Sequence, residues 1–155
     1  MDIQPQGKTL PFDGYDAIDT GILDIFPYEY SGREIELEIG TEEFTSVCPF
    51  SGLPDFGMIA IYYVPDKDCI ELRSLKYYLL SYRNVGIFYE HLVPRILEDL
   101  VKVCKPISMT VEAEFTERGG LKSRATATWD REDEIAEDIE EEVWSFDKYH
   151  EIKPQ

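Results

Sequence analysis

The chain has 155 residues and a formal net charge of −17 at pH 7, and 43% of its residues are hydrophobic. This length and apolar content suffice for one domain with its own core, but no apolar run approaches the roughly 20 residues that a membrane span requires. Because so acidic a surface repels nucleic acid, we expect no direct nucleic-acid partner and no membrane, and any nucleotide ligand must be held by a local basic region.

Residues 1–32 contain Pro, Gly and Asp with little periodicity and predict an irregular N-terminal arm. The arm has no apolar stretch resembling a signal peptide. The three cysteines (Cys48, Cys69 and Cys104) are odd in number and widely spaced, which argues against a disulfide framework. We therefore expect a cytoplasmic protein with reduced thiols. The chain has two histidines and no CxxC or HxxxH spacing, so we expect no metal site.

The first predicted strand covers residues 33–39, where apolar and charged side chains alternate as on a strand with one wet face. Residues 44–56 are predicted to be a loop. Residues 58–64 are apolar on both parities, which is typical of a central strand, and residues 69–72 predict a short strand or connection.

Two helices are predicted next. Ser74 is expected to cap a helix that starts at Leu75. Apolar residues recur at fourfold spacing over residues 87–104, which predicts a longer helix, and Pro94 inside it predicts a kink or a helix start nearby.

The chain then predicts a hairpin, because residues 107–115 and 122–129 both alternate and a Gly-rich turn joins them. The order β-β-α-α-β-β predicts an α+β domain over residues 33–129, with one antiparallel sheet and both helices on one face. So small a sheet leaves exposed edges, and we expect an oligomer that pairs them. Residues 130–142 hold nine acids, which predicts a solvated tail or a docked helix, with a binding motif for a basic partner as the alternative for residues 130–155.

One loop carries the residue types of covalent catalysis. Cys48 and Asp55 lie seven positions apart on a segment that Pro49, Gly52 and Pro54 constrain. A thiol is nucleophilic only as thiolate, and a nearby carboxyl group can move the proton. From the spacing alone, a buried cysteine and a turn-forming aspartate remain an alternative.

A basic region also occurs in this acidic chain, between Leu72 and Leu97. Its charged residues are one acid, Glu90, and four bases: Arg73, Lys76, Arg83 and Arg95. Such a region suits an anionic ligand. A solvated helix face is the alternative.

Residues 71–78, Glu-Leu-Arg-Ser-Leu-Lys-Tyr-Tyr, resemble the signature of the 7-cyano-7-deazaguanine reductases, the nitrile reductases of queuosine biosynthesis. Arg73 departs from that signature, because the family usually has Lys there. The loop from Cys48 to Asp55 also resembles the family's catalytic loop. Residues 81–84 and 88–90 resemble its substrate-binding region, and residues 118–120 resemble its hairpin tip. The resemblance spans roughly residues 43–129.

The resemblance implies a tunnelling fold, in which β-β-α-α-β-β subunits join their sheets into a barrel, and it implies the short, single-module form. Rings that stack, with active sites between subunits, are expected by similarity. The implied reaction is the NADPH-dependent reduction of the nitrile of 7-cyano-7-deazaguanine to the aminomethyl product, with two NADPH per turnover, in tRNA modification.

The resemblance also implies roles for individual residues. Cys48 would attack the nitrile carbon to form a thioimide, and Asp55 would supply a proton to the nitrogen. The substrate would be bound by Ile70, Glu71, Leu72, Tyr89 and Glu90. The cofactor would be held by Arg73, Lys76, Arg118 and Gly119, with Arg118 reaching into a neighbouring subunit.

Two residues depart from the family's pattern, and three alternative functions remain. Arg73 keeps the charge of Lys but changes its geometry, and Tyr89 stands where better-known members have His. His91 follows Glu90, but one residue of offset turns a helical side chain by about 100°. The rivals are an amidine-forming relative that also makes a thioimide and acts on tRNA, a zinc-dependent pterin-type enzyme of the same fold, and a non-enzymatic ligand-binding protein.

Overall fold

The computed structural model describes residues 9–135. Its strands and helices, in chain order, are β1 (Ile25–Pro27), β2 (Leu37–Val47), β3 (Pro54–Val64), β4 (Asp68–Ile70), α1 (Leu72–Leu80), α2 (Tyr89–Cys104), β5 (Ser108–Phe115) and β6 (Arg124–Asp130). The four long strands form one antiparallel sheet in the order β2-β3-β5-β6, and β1 pairs with β4 in a second, two-stranded sheet.

The main sheet has one buried face and one wet face, as the predicted alternation requires. In β5 every second side chain is buried: Met109, Val111, Ala113 and Phe115. Because directly paired residues point to the same face of a sheet, these side chains meet the buried ones of β3, such as Ile59 and Ile61. The predicted α+β class and the order of the two hairpins are confirmed.

Helix α2 covers the buried face of the sheet. Its apolar side chains recur every three or four residues, and all of the following are buried: Leu92, Val93, Ile96, Leu97, Leu100 and Cys104. Pro94 lies inside the helix, which begins five residues before it rather than near it.

A buried polar cluster ties α1 to α2. The hydroxyl of Tyr78 on α1 donates to Oδ2 of Asp99 on α2 at 2.7 Å, and Nε of Arg95 donates to the same oxygen at 2.8 Å. Tyr82 lies 2.9 Å from the Tyr78 hydroxyl. Since both tyrosines are fully buried, these bonds satisfy hydroxyls that would otherwise be costly to bury.

The predicted start of α1 at Leu75 is wrong, because the helix begins at Leu72 and its cap is Glu71. The Glu71 carboxylate accepts hydrogen bonds from the backbone N–H groups of Arg73 (2.9 Å) and Ser74 (2.7 Å). Ser74 is instead inside the first turn, where its hydroxyl donates to the Glu71 carbonyl oxygen at 2.7 Å. A carboxylate caps a helix as a serine does and also complements its dipole.

The loop predicted over residues 44–56 is much shorter. Strand β2 continues to Val47 and β3 begins at Pro54. The register between β2 and β3 shifts between Thr41 and Phe44, which marks a bulge in β2. The alternation of side chains breaks at the two acidic residues of the bulge and resumes after them. The bulge therefore hid the second half of β2 from a pattern based on strict alternation.

The N-terminal arm was predicted to be irregular, and its described part contains the short strand β1, which pairs with β4. The acidic segment beyond Ile135 lies outside the described residues, so the predicted tail or helix is not addressed there. Within residues 9–135, no helix is long and apolar enough to cross a membrane.

Candidate active site

The candidate site is built on the turn between β2 and β3. The Cys48 backbone N–H donates to the Leu53 carbonyl oxygen at 2.9 Å, and the Gly52 N–H donates to the Cys48 carbonyl oxygen at 2.7 Å. Gly52 has φ +70°, a left-handed conformation that a side chain disfavours. The turn is thus closed by its own backbone, and Cys48 is half-buried at its first position.

The N-terminal arm lies against this turn. The Leu10 N–H donates to the Ser51 carbonyl oxygen at 2.8 Å, and the Thr9 hydroxyl donates to the Phe50 carbonyl oxygen at 3.0 Å. A Cβ on Gly52 would lie 2.2 Å from the Leu10 carbonyl oxygen, so only glycine fits under the arm. The sequence reasoning missed this contact, because an arm without periodicity carries no signal for its partner.

Local hydrogen bonding favours the thiolate of Cys48. Burial alone raises the pKa of the thiol, but the backbone N–H groups of Ser51 and Phe50 and the Ser51 hydroxyl outweigh burial. The Asp55 charge acts in the opposite direction and is the smallest effect. The net pKa lies below the ordinary value of 9.0, as in reactive cysteines. Ser51 was missed by the sequence reasoning, although it is the one hydroxyl inside the turn.

The other two cysteines differ sharply from Cys48. Burial raises the pKa of Cys69, and it raises the pKa of Cys104 to about 12. Both side chains are buried, at 5% and 1% exposed. All three cysteines are free thiols, and Cys48 is the one of them whose pKa is lowered.

Asp55 lies at the start of β3 and is only 4% exposed. Its Oδ1 lies 2.7 Å from Nη2 of Arg118, which also donates to the Pro54 carbonyl oxygen. Arg118 belongs to the turn between β5 and β6, and its side chain is 45% exposed. The sequence reasoning expected Arg118 to reach a neighbouring subunit, and the structure places it against Asp55 of its own chain.

Tyr89, the first residue of α2, faces the same carboxyl group. Burial, and after it the Asp55 carboxylate, raises the pKa of Tyr89, so the phenol stays protonated and can donate. Its ring stacks on Phe115 with centroids 3.5 Å apart and planes 8° from parallel. Cys48, Asp55, Tyr89 and Arg118 thereby form one cluster, drawn from two turns, one strand and one helix.

Glu90 and His91 lie in the first turn of α2, and both are at least partly exposed. Nδ1 of His91 is 3.5 Å from the Tyr15 hydroxyl, and its ring meets Phe88 edge-on at 5.9 Å. Phe88 in turn meets Phe50 of the Cys48 turn at 5.6 Å. Two exposed aromatic rings, those of Phe50 and Phe88, therefore stand at the turn.

Residues 70–72 were predicted to bind substrate, and their three side chains lie in different environments. Ile70 is 2% exposed, so its side chain belongs to the core. The Glu71 carboxylate caps α1, and its hydrogen bonds to the Arg73 and Ser74 N–H groups lower its pKa. Leu72 is 58% exposed. Within one chain, this segment therefore offers Leu72 and backbone groups rather than three side chains.

The predicted cofactor residues Arg73 and Lys76 project from α1, and both are exposed. Neither takes part in an ion pair between the described residues. Lys76 lies at a largely apolar groove of about 250 Å³ between α1 and the edge strand β2. Gly119 is at the hairpin tip with φ +56°, and a Cβ added there would meet no other atom within 4 Å. Over residues 9–135, no group of three or more His, Cys, Asp or Glu is arranged to hold a metal ion.

Comparisons with known proteins agree on one family. The sequence model of the QueF-like protein family matches residues 54–134. A relative from Caldicellulosiruptor bescii is 52% identical over 126 residues, which are 81% of this chain and 96% of the relative. A relative from Chlorobaculum tepidum is 52% identical over 73% of this chain and 97% of its own length. Both are named NADPH-dependent 7-cyano-7-deazaguanine reductase.

A solved structure agrees at the level of the fold. The archaeosine synthase QueF-Like in the apo form superposes with a TM-score of 0.54 and 23% identity, covering 61% of this chain and 91% of that chain. The sequence relatives and the fold thus indicate the same family, and the chain belongs to the QueF-like protein family.

Proposed function

We propose that this protein reduces the nitrile of 7-cyano-7-deazaguanine to a primary amine with NADPH, in queuosine biosynthesis. Its relatives at about 50% identity carry the name of that reductase, and they align over most of both chains. The observation that carries the proposal is the contrast among the cysteines: Cys48 has a lowered pKa and lies beside a buried carboxyl group, whereas Cys69 and Cys104 are buried with raised pKa values.

The chemistry explains why these groups belong together. A nitrile carbon accepts hydride poorly, but attack by the Cys48 thiolate converts it to a thioimide, which accepts hydride more readily. The nitrogen gains a proton as the sulfur–carbon bond forms, and Asp55 is the proposed proton donor. Tyr89 and Arg118, beside Asp55, hold that carboxyl group in place. Bound NADPH supplies hydride to the activated carbon.

Glu90 and Tyr89 are the proposed groups for the base. A carboxylate accepts two hydrogen bonds from the amino and ring N–H groups of a guanine-like edge. The exposed rings of Phe50 and Phe88 meet beside the Cys48 turn and offer an apolar wall for a planar ligand. We also propose that residues 70–72 line the base through Leu72 and the backbone, since the Ile70 and Glu71 side chains are engaged elsewhere.

Arg73, Lys76, Arg118 and Gly119 are the proposed cofactor residues. The residues present fit NADPH, because α1 of this strongly acidic chain exposes two cations, of which Lys76 lies at the groove, and a 2′-phosphate is typically bound by such cations. Arg118 is nearly half exposed while it contacts Asp55, which leaves room for a second anion. No G-x-G-x-x-G motif occurs in the chain, so a Rossmann-type cradle is not part of the proposal.

We further propose a homo-oligomer with active sites at subunit interfaces, in the cytoplasm. The main sheet leaves β2 and β6 as edges, and the groove at β2 and α1 is apolar and open. Three free thiols suit a reducing compartment.

One assay tests the function. Incubating the protein with 7-cyano-7-deazaguanine should give a thioimide absorbance and a mass increase equal to the whole nitrile compound. Both should vanish in Cys48→Ala and persist in Cys69→Ala, the control for a thiol outside the site. Added NADPH should then be oxidised at two equivalents per nitrile. An adduct without NADPH oxidation would favour the amidine-forming chemistry, and the absence of any adduct would favour a ligand-binding protein.

A further inference from the structure

A serine that neither the resemblance nor the proposed roles include lies directly opposite the candidate acid. Ser46 is the second-last residue of β2 and pairs with Asp55 on β3. Directly opposite residues in an antiparallel sheet point to the same face, and their Cβ atoms are about 4.5–5.5 Å apart. Ser46 is 0% exposed and Asp55 is 4% exposed, so both side chains lie on the buried face.

The Ser46 hydroxyl is buried without a hydrogen bond. Within the described part of the chain, Oγ of Ser46 has no hydrogen-bond partner, whereas Oδ1 of Asp55 has Nη2 of Arg118 at 2.7 Å as its ion-pair partner. The same Nη2 also donates to the Pro54 carbonyl oxygen, and a carboxylate oxygen accepts more than one hydrogen bond, so Oδ1 has capacity for a further donor. Native proteins rarely leave a buried hydroxyl unpaired, so its position opposite this carboxylate calls for an explanation.

We propose that Ser46 is a positioning residue for Asp55, and that its hydroxyl is the hydrogen-bond partner of the Asp55 carboxyl group during the reaction. A hydroxyl both donates and accepts, so it can donate to a carboxylate and accept from a carboxylic acid. That versatility suits a group that gives up a proton and regains it. Arg118, by contrast, only donates, and it stays charged throughout.

Three other titratable or charged side chains among the described residues face Asp55: Cys48 from the turn, Tyr89 from α2 and Arg118 from the β5–β6 turn. Cys48 is occupied by the substrate in the proposed reaction. The Tyr89 phenol is a second neutral hydroxyl at this carboxyl group, and its ring stacks on Phe115. Ser46 is the hydroxyl that the pairing of β2 with β3 places opposite the carboxyl group.

The first test is a double-mutant cycle and does not need the nitrile. Urea unfolding is measured for the full chain and for Ser46→Ala, Asp55→Ala and the double variant. If the two side chains interact, Ser46→Ala lowers the unfolding midpoint in the native background but leaves it unchanged or raises it when Asp55 is already Ala. Additive effects would overturn the proposal.

The second test rests on the proposed function and separates positioning from mere structure. In Ser46→Ala, kcat for nitrile-dependent NADPH oxidation should fall about tenfold or more while the KM for the nitrile stays within about twofold, because proton delivery is misplaced and binding is not. Ser46→Thr, which restores the hydroxyl, should recover kcat to within about threefold of the native value.

Ser108→Ala is the matched control. Ser108 is a half-buried serine at the start of β5, and it pairs with Val64 at the opposite end of β3 from Asp55. This variant should change the unfolding midpoint additively with Asp55→Ala and leave kcat unchanged. An unchanged kcat in Ser46→Ala would refute the positioning role. If the native protein oxidises no NADPH, the proposed function fails, and the double-mutant cycle still decides whether Ser46 and Asp55 are coupled.

Discussion

Cys48 occupies the first position of a turn whose amide groups point toward its sulfur. The Ser51 and Phe50 N–H groups favour the thiolate. The described neighbours of the sulfur include no imidazole that lowers the pKa of Cys48. The thiolate of Cys48, the proposed nucleophile, is therefore favoured by the backbone geometry of the turn.

The Ser51 hydroxyl should contribute measurably to that activation. In Ser51→Ala the pKa of Cys48 rises toward its ordinary value of 9.0, because one hydrogen bond to the thiolate is lost while the backbone ones remain. At pH 7.5 the thiolate fraction falls, and alkylation of Cys48 by iodoacetamide should slow about threefold. Well above the ordinary pKa the two proteins should react at the same rate, because both are then thiolates.

Peptide mass spectrometry after alkylation reads the reaction at Cys48 alone. Ser31→Ala, an exposed serine in the turn before β2, is the control and should react as the native protein does. Equal rates for Ser51→Ala and the native protein at pH 7.5 would show that the backbone amides act alone.

Gly52 should not tolerate any side chain, because of its left-handed backbone and because of its close contact with Leu10. A substitution at Gly119, which has only the first of these features, measures the two effects separately. Gly52→Ala forces a left-handed residue to carry a Cβ and drives that Cβ into the Leu10 carbonyl oxygen, 2.2 Å away. Gly119 is also left-handed, at φ +56°, but has open space around it. We expect Gly52→Ala to cost about 2–4 kcal/mol of unfolding free energy and Gly119→Ala about 1 kcal/mol.

Urea unfolding measures both glycine variants under the same conditions. The excess cost at Gly52 reports the contact between the N-terminal arm and the Cys48 turn. Equal costs at the two positions would mean that the arm yields freely, and that it does not hold the turn in place.

At the scale of elements, the sequence predicted β5 and α2 well, but the strand predicted over residues 33–39 overlaps β2 only at residues 37–39. The alternation over residues 107–115 and the fourfold spacing over residues 87–104 lie within two residues of β5 and α2. The sequence failed where periodicity breaks for a physical reason. The bulge between Thr41 and Phe44 concealed half of β2, and the Glu71 cap moved the start of α1.

The candidate site shows the same division. The motif spacing predicted that Cys48 and Asp55 belong together, because both lie on one short segment of chain. It did not predict that Arg118 contacts Asp55, since that contact joins distant parts of the chain through the pairing of β3 with β5. Contacts set by sheet register become visible only once the strands are aligned.

The start of helix α1 has one residue that caps the helix and two cations that are exposed to solvent. Glu71 holds the first turn, and Arg73 and Lys76 lie three positions apart, on neighbouring positions of the helix surface. If these cations bind the 2′-phosphate of NADPH, the double variant Arg73→Ala/Lys76→Ala should raise the KM for NADPH about tenfold or more. Formation of the Cys48 adduct with the nitrile should be unchanged, because that step precedes hydride transfer.

Steady-state kinetics with NADPH and NADH checks this assignment. The preference for NADPH over NADH should shrink in the double variant, because NADH lacks the phosphate. Lys102→Ala, an exposed lysine in the last turn of α2, is the control and should keep both KM values. An equal loss with both cofactors would place the two cations elsewhere on the nucleotide.

At the scale of the whole molecule, two features point toward assembly. The sheet ends in two edges, β2 and β6, whose outer backbone groups have no partner strand among residues 9–135. Beside β2 lies the groove that Ile39, Leu72 and Leu80 help to line, with Leu72 and Leu80 exposed at 58% and 42%. Apolar surface next to an open edge is what a subunit interface covers. Because a net charge of −17 opposes association, such an interface must be apolar enough to outweigh it.

Introducing a charge into this groove should therefore separate the subunits. We expect the native protein to sediment as an oligomer in analytical ultracentrifugation and Leu80→Arg to sediment as a smaller species, because an arginine buried at an interface without a partner is costly. Tyr30→Arg, at a side chain that is 69% exposed in the turn before β2, is the control and should leave the oligomer intact. Nitrile reduction should be lost together with the oligomer in Leu80→Arg if the active sites lie between subunits. A monomeric native protein with full activity would instead locate the whole site within one chain.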